Sequence, residues 1–372
     1  MKQMFRRYFS SAAAAINVST PTASGFYSVR PVISRISHKP VLSDTYGRFH
    51  KYLRLSVTEK CSFRCRYCMP VEGVKLSPAD TLLTTDEMLT LTRIFIQCGV
   101  NKIRLTGGEA LVHKDIDRIV REIGQYTKGF EPKLETLAMT TNGLVLSRHL
   151  RDFRDYGMKN INISLDTLVE PKFELFARRK GFKQVWNAFQ SAIDLGYKVK
   201  LNCVVMNGKN DDEINDFVEL TKDKEFTMVF IELMPFDSND WKISKMTTYK
   251  QMKQIIESKY GPLQRCLDGP NATAKTYQVP GHKGKIGFIT SMTNNFCSGC
   301  DRIRLLSTGD LKICLFDNRT LDLRTLVRLG WREEDIMEAI SYHIKKKHAK
   351  HAGKTVEELA TSQNNDMVKI GG

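Results

Sequence analysis

The feature that most constrains this chain is a repeat of short apolar strands and amphipathic helices between residues 52 and 236. "YLRLSVT" (52–58) alternates like a strand, and "TTDEMLTLTRIFIQCG" (84–99) has helical spacing behind a capping Thr and ends in Gly. "NKIRLTGG" (101–108), "ETLAMTTNG" (135–143), "NINISLD" (160–166), "KVKLNCVVM" (198–206) and "TMVFIELMP" (227–235) read as further strands, with a helix between each and the next. Such alternation predicts parallel βα units. Six units are too few to close an eightfold barrel, so an α/β fold is expected, an open partial (β/α)6 TIM-like barrel over 44–240. Periodicity alone also allows a doubly wound sheet. After 240 the rhythm breaks into a helix ("SKMTTYKQMKQIIESKYG"), a hairpin ("YQVPGHKGKIGFIT") and a cysteine cluster, and a smaller C-terminal domain is expected over 241–372, which the resemblance given below makes an iron–sulfur domain.

The chemically suggestive residues follow the strands, in "TEKC", "TGGE", "TTNG", "SLD" and "ELMP". In βα barrels that rim builds the active site. "TEKCSFRCRYCMP" places Cys61, Cys65 and Cys68 in a C-x3-C-x2-C spacing, and "CSGCDRIRLLSTGDLKIC" adds Cys297, Cys300 and Cys314. Nine cysteines in 372 residues are too sparse, and odd in number, for a disulfide scaffold. Three local thiolates leave one corner of a [4Fe–4S] cube open for a ligand, whereas structural zinc wants four closed ligands. The first set therefore favours iron–sulfur. The second, taken alone, fits a zinc ribbon with one distant ligand equally well. Cys98 and Cys203 read as core, either being a conceivable fourth ligand without support; Cys266 is isolated.

Formal net charge is +16, and Lys2, Arg6, Arg7, Arg30, Arg35 and Lys39 precede the first acid, Asp44. A Ser-, Ala- and Arg-rich opening without acids predicts a mitochondrial presequence over 1–43 and a matrix location. The remaining excess of positive charge suits a polyanionic small molecule. It is not interleaved with aromatics as a nucleic-acid stripe would be. "KKKHAKHAGK" (345–354) reads as a solvated helix end. No apolar run is long enough to span a bilayer.

With Tyr67 before the last cysteine and "TGGEA" after the second strand, the chain resembles the radical S-adenosylmethionine superfamily. "GRFHKYLRLSVTEKCSFRCRYCMP", "KIRLTGGEALVHKDI", "SLDTL", "CSGCDRIRL", "LKICLF" and the terminal "IGG" narrow the resemblance, over residues 45–372, to the GTP 3′,8-cyclase family of molybdenum cofactor biosynthesis. The resemblance implies two [4Fe–4S] clusters, on Cys61, Cys65 and Cys68 and on Cys297, Cys300 and Cys314. It implies S-adenosylmethionine contacts at Tyr67, Gly108, Ser164 and Met234, and cleavage to a 5′-deoxyadenosyl radical that takes the 3′ hydrogen of GTP. Arg54, Arg104, Thr140, Lys200, Arg302 and Arg304 match substrate positions. Arg302, Arg304, Gly371 and Gly372 match catalytic ones, the two glycines as a tail inserted into the site. A separate cyclic pyranopterin monophosphate synthase would process the product, the electron donor is not legible, and a homodimer is possible within the family.

Ala110 stands where the family often has Pro, which bears on loop stiffness. Asp301 stands where Asn is common, which would weaken phosphate affinity or pair with Arg302. The alternatives are another twin-cluster radical enzyme or, in a different class, a zinc-stabilised nucleic-acid-binding protein.

Overall fold

The structure, a computed structural model, describes residues 41–237, 239, 241–269, 271–362 and 366–371. The expected presequence lies outside them except for 41–43, and Gly372 lies outside them. Those three residues belong to the folded unit: Leu42 is wholly buried and Ser43 bridges to Phe49.

Six parallel strands form the expected series: β1 (Tyr52–Ser56), β2 (Lys102–Thr106), β3 (Thr136–Thr141), β4 (Asn160–Ser164), β5 (Lys198–Val205) and β6 (Thr227–Glu232). Their odd-numbered residues in β1, β2 and β4 (Leu53, Leu55, Ile103, Leu105, Ile161 and Ile163) are wholly buried. They share one apolar cluster with helices α1 (Thr85–Gln97), α2 (Ile116–Gln125), and the helix α5 (Phe182–Asp194) that follows two short ones, α3 (Leu150–Asp155) and α4 (Glu170–Ala177). Period-2 alternation thus sends one face to the helices and leaves the other, carrying Arg and Lys, to the barrel interior. The Thr84–Glu87 capping box starts α1 as its sequence predicts.

The C-terminal region does not stand apart from the barrel. After α6 (Ile214–Glu219) and α7 (Tyr249–Tyr260) come β7 (Gln264–Arg265), β8 (Lys275–Gln278) and β9 (Lys285–Ile289), then β10 (Arg302–Leu305), β11 (Asp310–Lys312) and β12 (Thr320–Asp322). One twelve-stranded sheet runs β12-β11-β10-β1-β2-β3-β4-β5-β6-β9-β8-β7. β10 joins β1, and β9 joins β6, both in parallel. The expected barrel is therefore widened at both edges by strands that arrive without a βα unit of their own. Helices α8 (Leu323–Arg328), α9 (Glu333–Ile344) and α10 (Val356–Thr361) complete the described elements. No helix among the described residues is long and apolar enough to cross a membrane.

Glu232, wholly buried at the end of β6, fastens this join. It accepts from Tyr249 N (2.9 Å) at the start of α7, and from Met292 N (2.9 Å), Thr293 N (3.1 Å) and the Thr293 hydroxyl after β9. Glu232→Gln turns an amide NH2 toward those donors. It should cost about 2 kcal/mol of stability, the scale of a buried unsatisfied group. An unchanged urea midpoint would show that the join does not depend on this carboxylate.

Candidate active site

The barrel interior encloses a cavity of about 770 Å³. Strand register explains what lines it. Arg304, Arg54 and Arg104 pair across β10, β1 and β2, and one pleat below them Arg302, Tyr52 and Lys102 do the same. On the far wall Thr140, Asn162 and Lys200 form a further row. All of these side chains line the one cavity, so the expected substrate residues are brought together. Lys102 and Tyr52 escaped the sequence reading, although they occupy the inward positions of the same alternation.

So many cations in one buried space repel one another. Burial, with Arg54 and Arg302 beside it, pushes the Arg304 guanidinium down to about 9. Arg54 and Lys200 are lowered too, first by burial and then by neighbouring Arg104. Burial should raise the Tyr52 phenol. The surrounding Arg104, Arg54 and Lys102 win, however, and bring it to about 7, with Arg104 Nε donating to its oxygen at 2.7 Å. Arg302 stacks over Phe296 at 4.5 Å and donates to the Thr273 hydroxyl, while its Nη2 is buried without a hydrogen-bond partner among the described residues. Asp301 approaches Arg302 Nε at 3.9 Å, the pairing that its sequence position suggested. A space with this wall calls for a polyanion.

The two cysteine sets sit at opposite ends of the strands. Cys61, Cys65 and Cys68 follow the C-terminal end of β1. Cys300 precedes β10, which begins level with the start of β1. Continuing the antiparallel β10–β11 register places Cys314 opposite Arg302, at that same end. All six cysteines line the cavity. Burial pushes the thiols of Cys61, Cys65 and Cys68 up, so they become thiolates only against a bound cation. Among the described residues no three His, Cys, Asp or Glu side chains surround a single point as ligands of one ion. A cube takes one thiolate at each of several irons and does not require such a point, so the donors fit an iron–sulfur cluster. Cys98 and Cys203 are buried in the core, as expected.

The loops above β1 to β4 are tied to one another. A Cβ on Gly108 would lie 2.4 Å from Lys60 O and 2.6 Å from Glu59 O, so the glycine lets the second loop rest on the cysteine loop. Glu109 accepts from Leu111 N (3.0 Å), the Thr141 hydroxyl (2.7 Å) and Asn142 N (2.6 Å), and Asn142 Nδ2 donates to Ser62 (2.9 Å). Ala110 is wholly buried in the turn that follows. Tyr67 bonds to Asp166, whose carboxyl burial pushes up to about 6 and which also accepts from Val204 N at 2.9 Å. Tyr67, Gly108, Ser164 and Met234 all face the cavity. Glu109, Asn142 and Asp166 carry no spacing signal that would have revealed these bonds.

From the other side, residues 366–371 reach the cation rows. Arg54 Nη2 donates to Gly371 O (2.7 Å) and Arg304 Nη1 to Ile370 O (3.1 Å). Gly371 has φ +77°, and a Cβ there would meet the Thr106 hydroxyl at 2.5 Å, so the position needs glycine twice over.

The radical SAM superfamily model matches residues 55–221, and the Molybdenum Cofactor Synthesis C model matches 226–353. GTP 3′,8-cyclase, mitochondrial, of Arabidopsis thaliana is 44% identical over 97% of this chain and 93% of its own. GTP 3′,8-cyclase of Peptoclostridium acidaminophilum is 38% identical over 91% of this chain and 100% of its own. Molybdenum cofactor biosynthesis protein 1 of Dictyostelium discoideum is 45% identical over 99% of this chain but 57% of its own, so the chain spans little more than half the length of that relative. Among solved structures, Streptococcus suis SuiB shares the fold, at a TM-score of 0.56 and 12% identity over 87% of this chain and 78% of that one.

Inorganic triphosphate should raise the unfolding temperature of the protein, and the shift should shrink with added salt. Arg54→Ala and Arg304→Ala should each weaken its binding about tenfold, the scale of one charge-assisted hydrogen bond. Equal affinity in both variants, measured calorimetrically, would remove these guanidinia from the anion site.

Proposed function

We propose that this chain, which belongs to the GTP 3′,8-cyclase family, converts GTP into (8S)-3′,8-cyclo-7,8-dihydroguanosine 5′-triphosphate, the first step of molybdenum cofactor biosynthesis. One observation carries the reading: a single cavity has a three-thiol set at each end of its strands and rows of cations between them.

Cys61, Cys65 and Cys68 would hold one [4Fe–4S] cluster, with S-adenosylmethionine contacted by Tyr67, Gly108, Ser164 and Met234. Bound there, cluster and S-adenosylmethionine supply a carbon radical able to abstract a hydrogen atom. Cys297, Cys300 and Cys314 would hold a second cluster near the guanine. Arg54, Arg104, Lys200, Arg302 and Arg304, with Lys102, neutralise the triphosphate, and Thr140 adds a hydroxyl. Guanidinium forks suit phosphate oxygens because they bind them in pairs. Gly371 narrows the site through the tail that Arg54 and Arg304 hold, and Gly372, outside the described residues, would act with it. Phe236, Phe296 and Phe316 line the same cavity and exclude water from it. The protein's contribution to rate is positioning: a displacement of about 1 Å can cost roughly a hundredfold.

The mitochondrial matrix is the proposed location, on the basic opening of the chain and the mitochondrial name of its plant relative. A one-electron donor would serve the reaction, and a cyclic pyranopterin monophosphate synthase activity would consume the product.

The test is anaerobic reconstitution followed by incubation with S-adenosylmethionine, reductant and GTP. Cys68→Ser should abolish 5′-deoxyadenosine formation. Cys314→Ser should retain S-adenosylmethionine binding yet lose cyclised product. Normal cyclisation by the Cys314 variant would remove the second set from the reaction, and absence of cyclised product from the reconstituted parent protein would overturn the reading for GTP.

A further inference from the structure

The run "KKKHAKHAGK" reads as solvent-facing in sequence, and the structure corrects this at Lys347, which is 4% exposed. Its ammonium has three partners. Nζ donates to Arg302 O at 2.9 Å and to Cys300 Sγ at 3.5 Å, and lies 3.4 Å from His50 Nδ1. His50 is wholly buried, and its other nitrogen, Nε2, lies 3.2 Å from Asp44 Oδ2. An ammonium can only donate, so Nδ1 must accept and Nε2–H must point at Asp44. This fixes the tautomer and leaves the imidazole neutral between a buried cation and a buried carboxylate. Burial pushes the His50 imidazolium down to about 3, in agreement.

A second arm leaves the same carboxylate. Asp44 Oδ2 accepts from Arg48 Nε at 2.6 Å, and Arg48 Nη1 donates to Cys297 O at 2.9 Å. Residues 44–50, just before the first strand, thus reach both cysteines of the C-x2-C pair. Of these two arms only Lys347 touches sulfur, and Arg302 is a second cation beside Cys300.

We propose that Lys347, backed by His50 and Asp44, is a positioning residue for the second cluster, and that its N–H to Cys300 sulfur sets that cluster's reduction potential. A buried cation donating to a ligand sulfur favours the more negative, reduced state, and hydrogen bonds to sulfur are a known lever on cluster potential. Lys347 occupies that place as a charge, not as a packing side chain. The proposal rests on the reading that Cys297, Cys300 and Cys314 bind an iron–sulfur cluster.

The experiment uses the full chain with Cys61, Cys65 and Cys68 all changed to Ala, so that only the second set can carry iron. Iron and sulfide are counted first. If this protein binds no cluster after reconstitution, the twin-cluster reading fails, whatever Lys347 does. If it binds one, its potential is measured by redox titration followed by electron paramagnetic resonance, with Lys347 intact and as Lys347→Met, Lys347→Gln and Lys347→Arg. Lys347→Met should make reduction at least about tenfold less favourable, 59 mV for a one-electron couple. Gln should fall between, and Arg should stay near the parent. Equal potentials in the Met and parent proteins would overturn the proposal. Should Met prevent assembly, the order of Arg above Gln decides it. Loss of the cluster from all three variants, including the one that keeps the charge, would make Lys347 a structural support and would also overturn it.

Discussion

Everything in this barrel depends on holding like charges together inside it. Arg54, Arg104, Lys102, Lys200, Arg302 and Arg304 face one cavity because strand pleating gives their positions no other direction. Their neighbours on the opposite face, such as Leu53 and Ile103, are wholly buried under helices and fix the register. A slip of one residue would exchange the two faces, putting guanidinia into the apolar layer. The apolar layer therefore holds in place a cation cluster that would otherwise disperse, and the cluster in turn selects a polyanion.

Local compensation reduces the repulsion. Tyr52 stands among three cations with its phenol brought to about 7, and the carbonyls of Ile370 and Gly371 accept from Arg304 and Arg54. A carbonyl offers partial charge only. It satisfies guanidinium donors without competing as strongly as a carboxylate would with an incoming phosphate. Asp301, beside these arginines, leans toward Arg302.

The sequence made the series from β1 to β6 legible because each strand carries its own alternation and its own helix. The six cysteines were legible from spacing, and the structure gathers them round one cavity. What escaped depends on pairing between distant parts of the chain. Nothing local in "RIRL" or "KIGFI" says that these segments extend the barrel at its two edges. Lys347 sits in a run of lysines whose composition speaks of solvent, and only the neighbourhood of His50 and Cys300 shows otherwise. Glu109 and Asn142 tie loops together through backbone donors, which no side-chain pattern records. Gly108 of "TGGE" matches an S-adenosylmethionine contact by resemblance. What its Cβ would meet is the backbone of the cysteine loop itself, so its first effect is to set that loop's height.

On the proposed function, the cation rows present the sugar of GTP to chemistry arising at the Cys61, Cys65 and Cys68 end. The most direct measurement is the fate of hydrogen in GTP deuterated at C3′, incubated with the reconstituted enzyme, S-adenosylmethionine and reductant. Deuterium should appear in the 5′-deoxyadenosine produced, in step with cyclised product, and should be lost in an Arg54→Ala, Arg304→Ala double variant that still binds iron. Unlabelled 5′-deoxyadenosine accompanying normal product formation would contradict it.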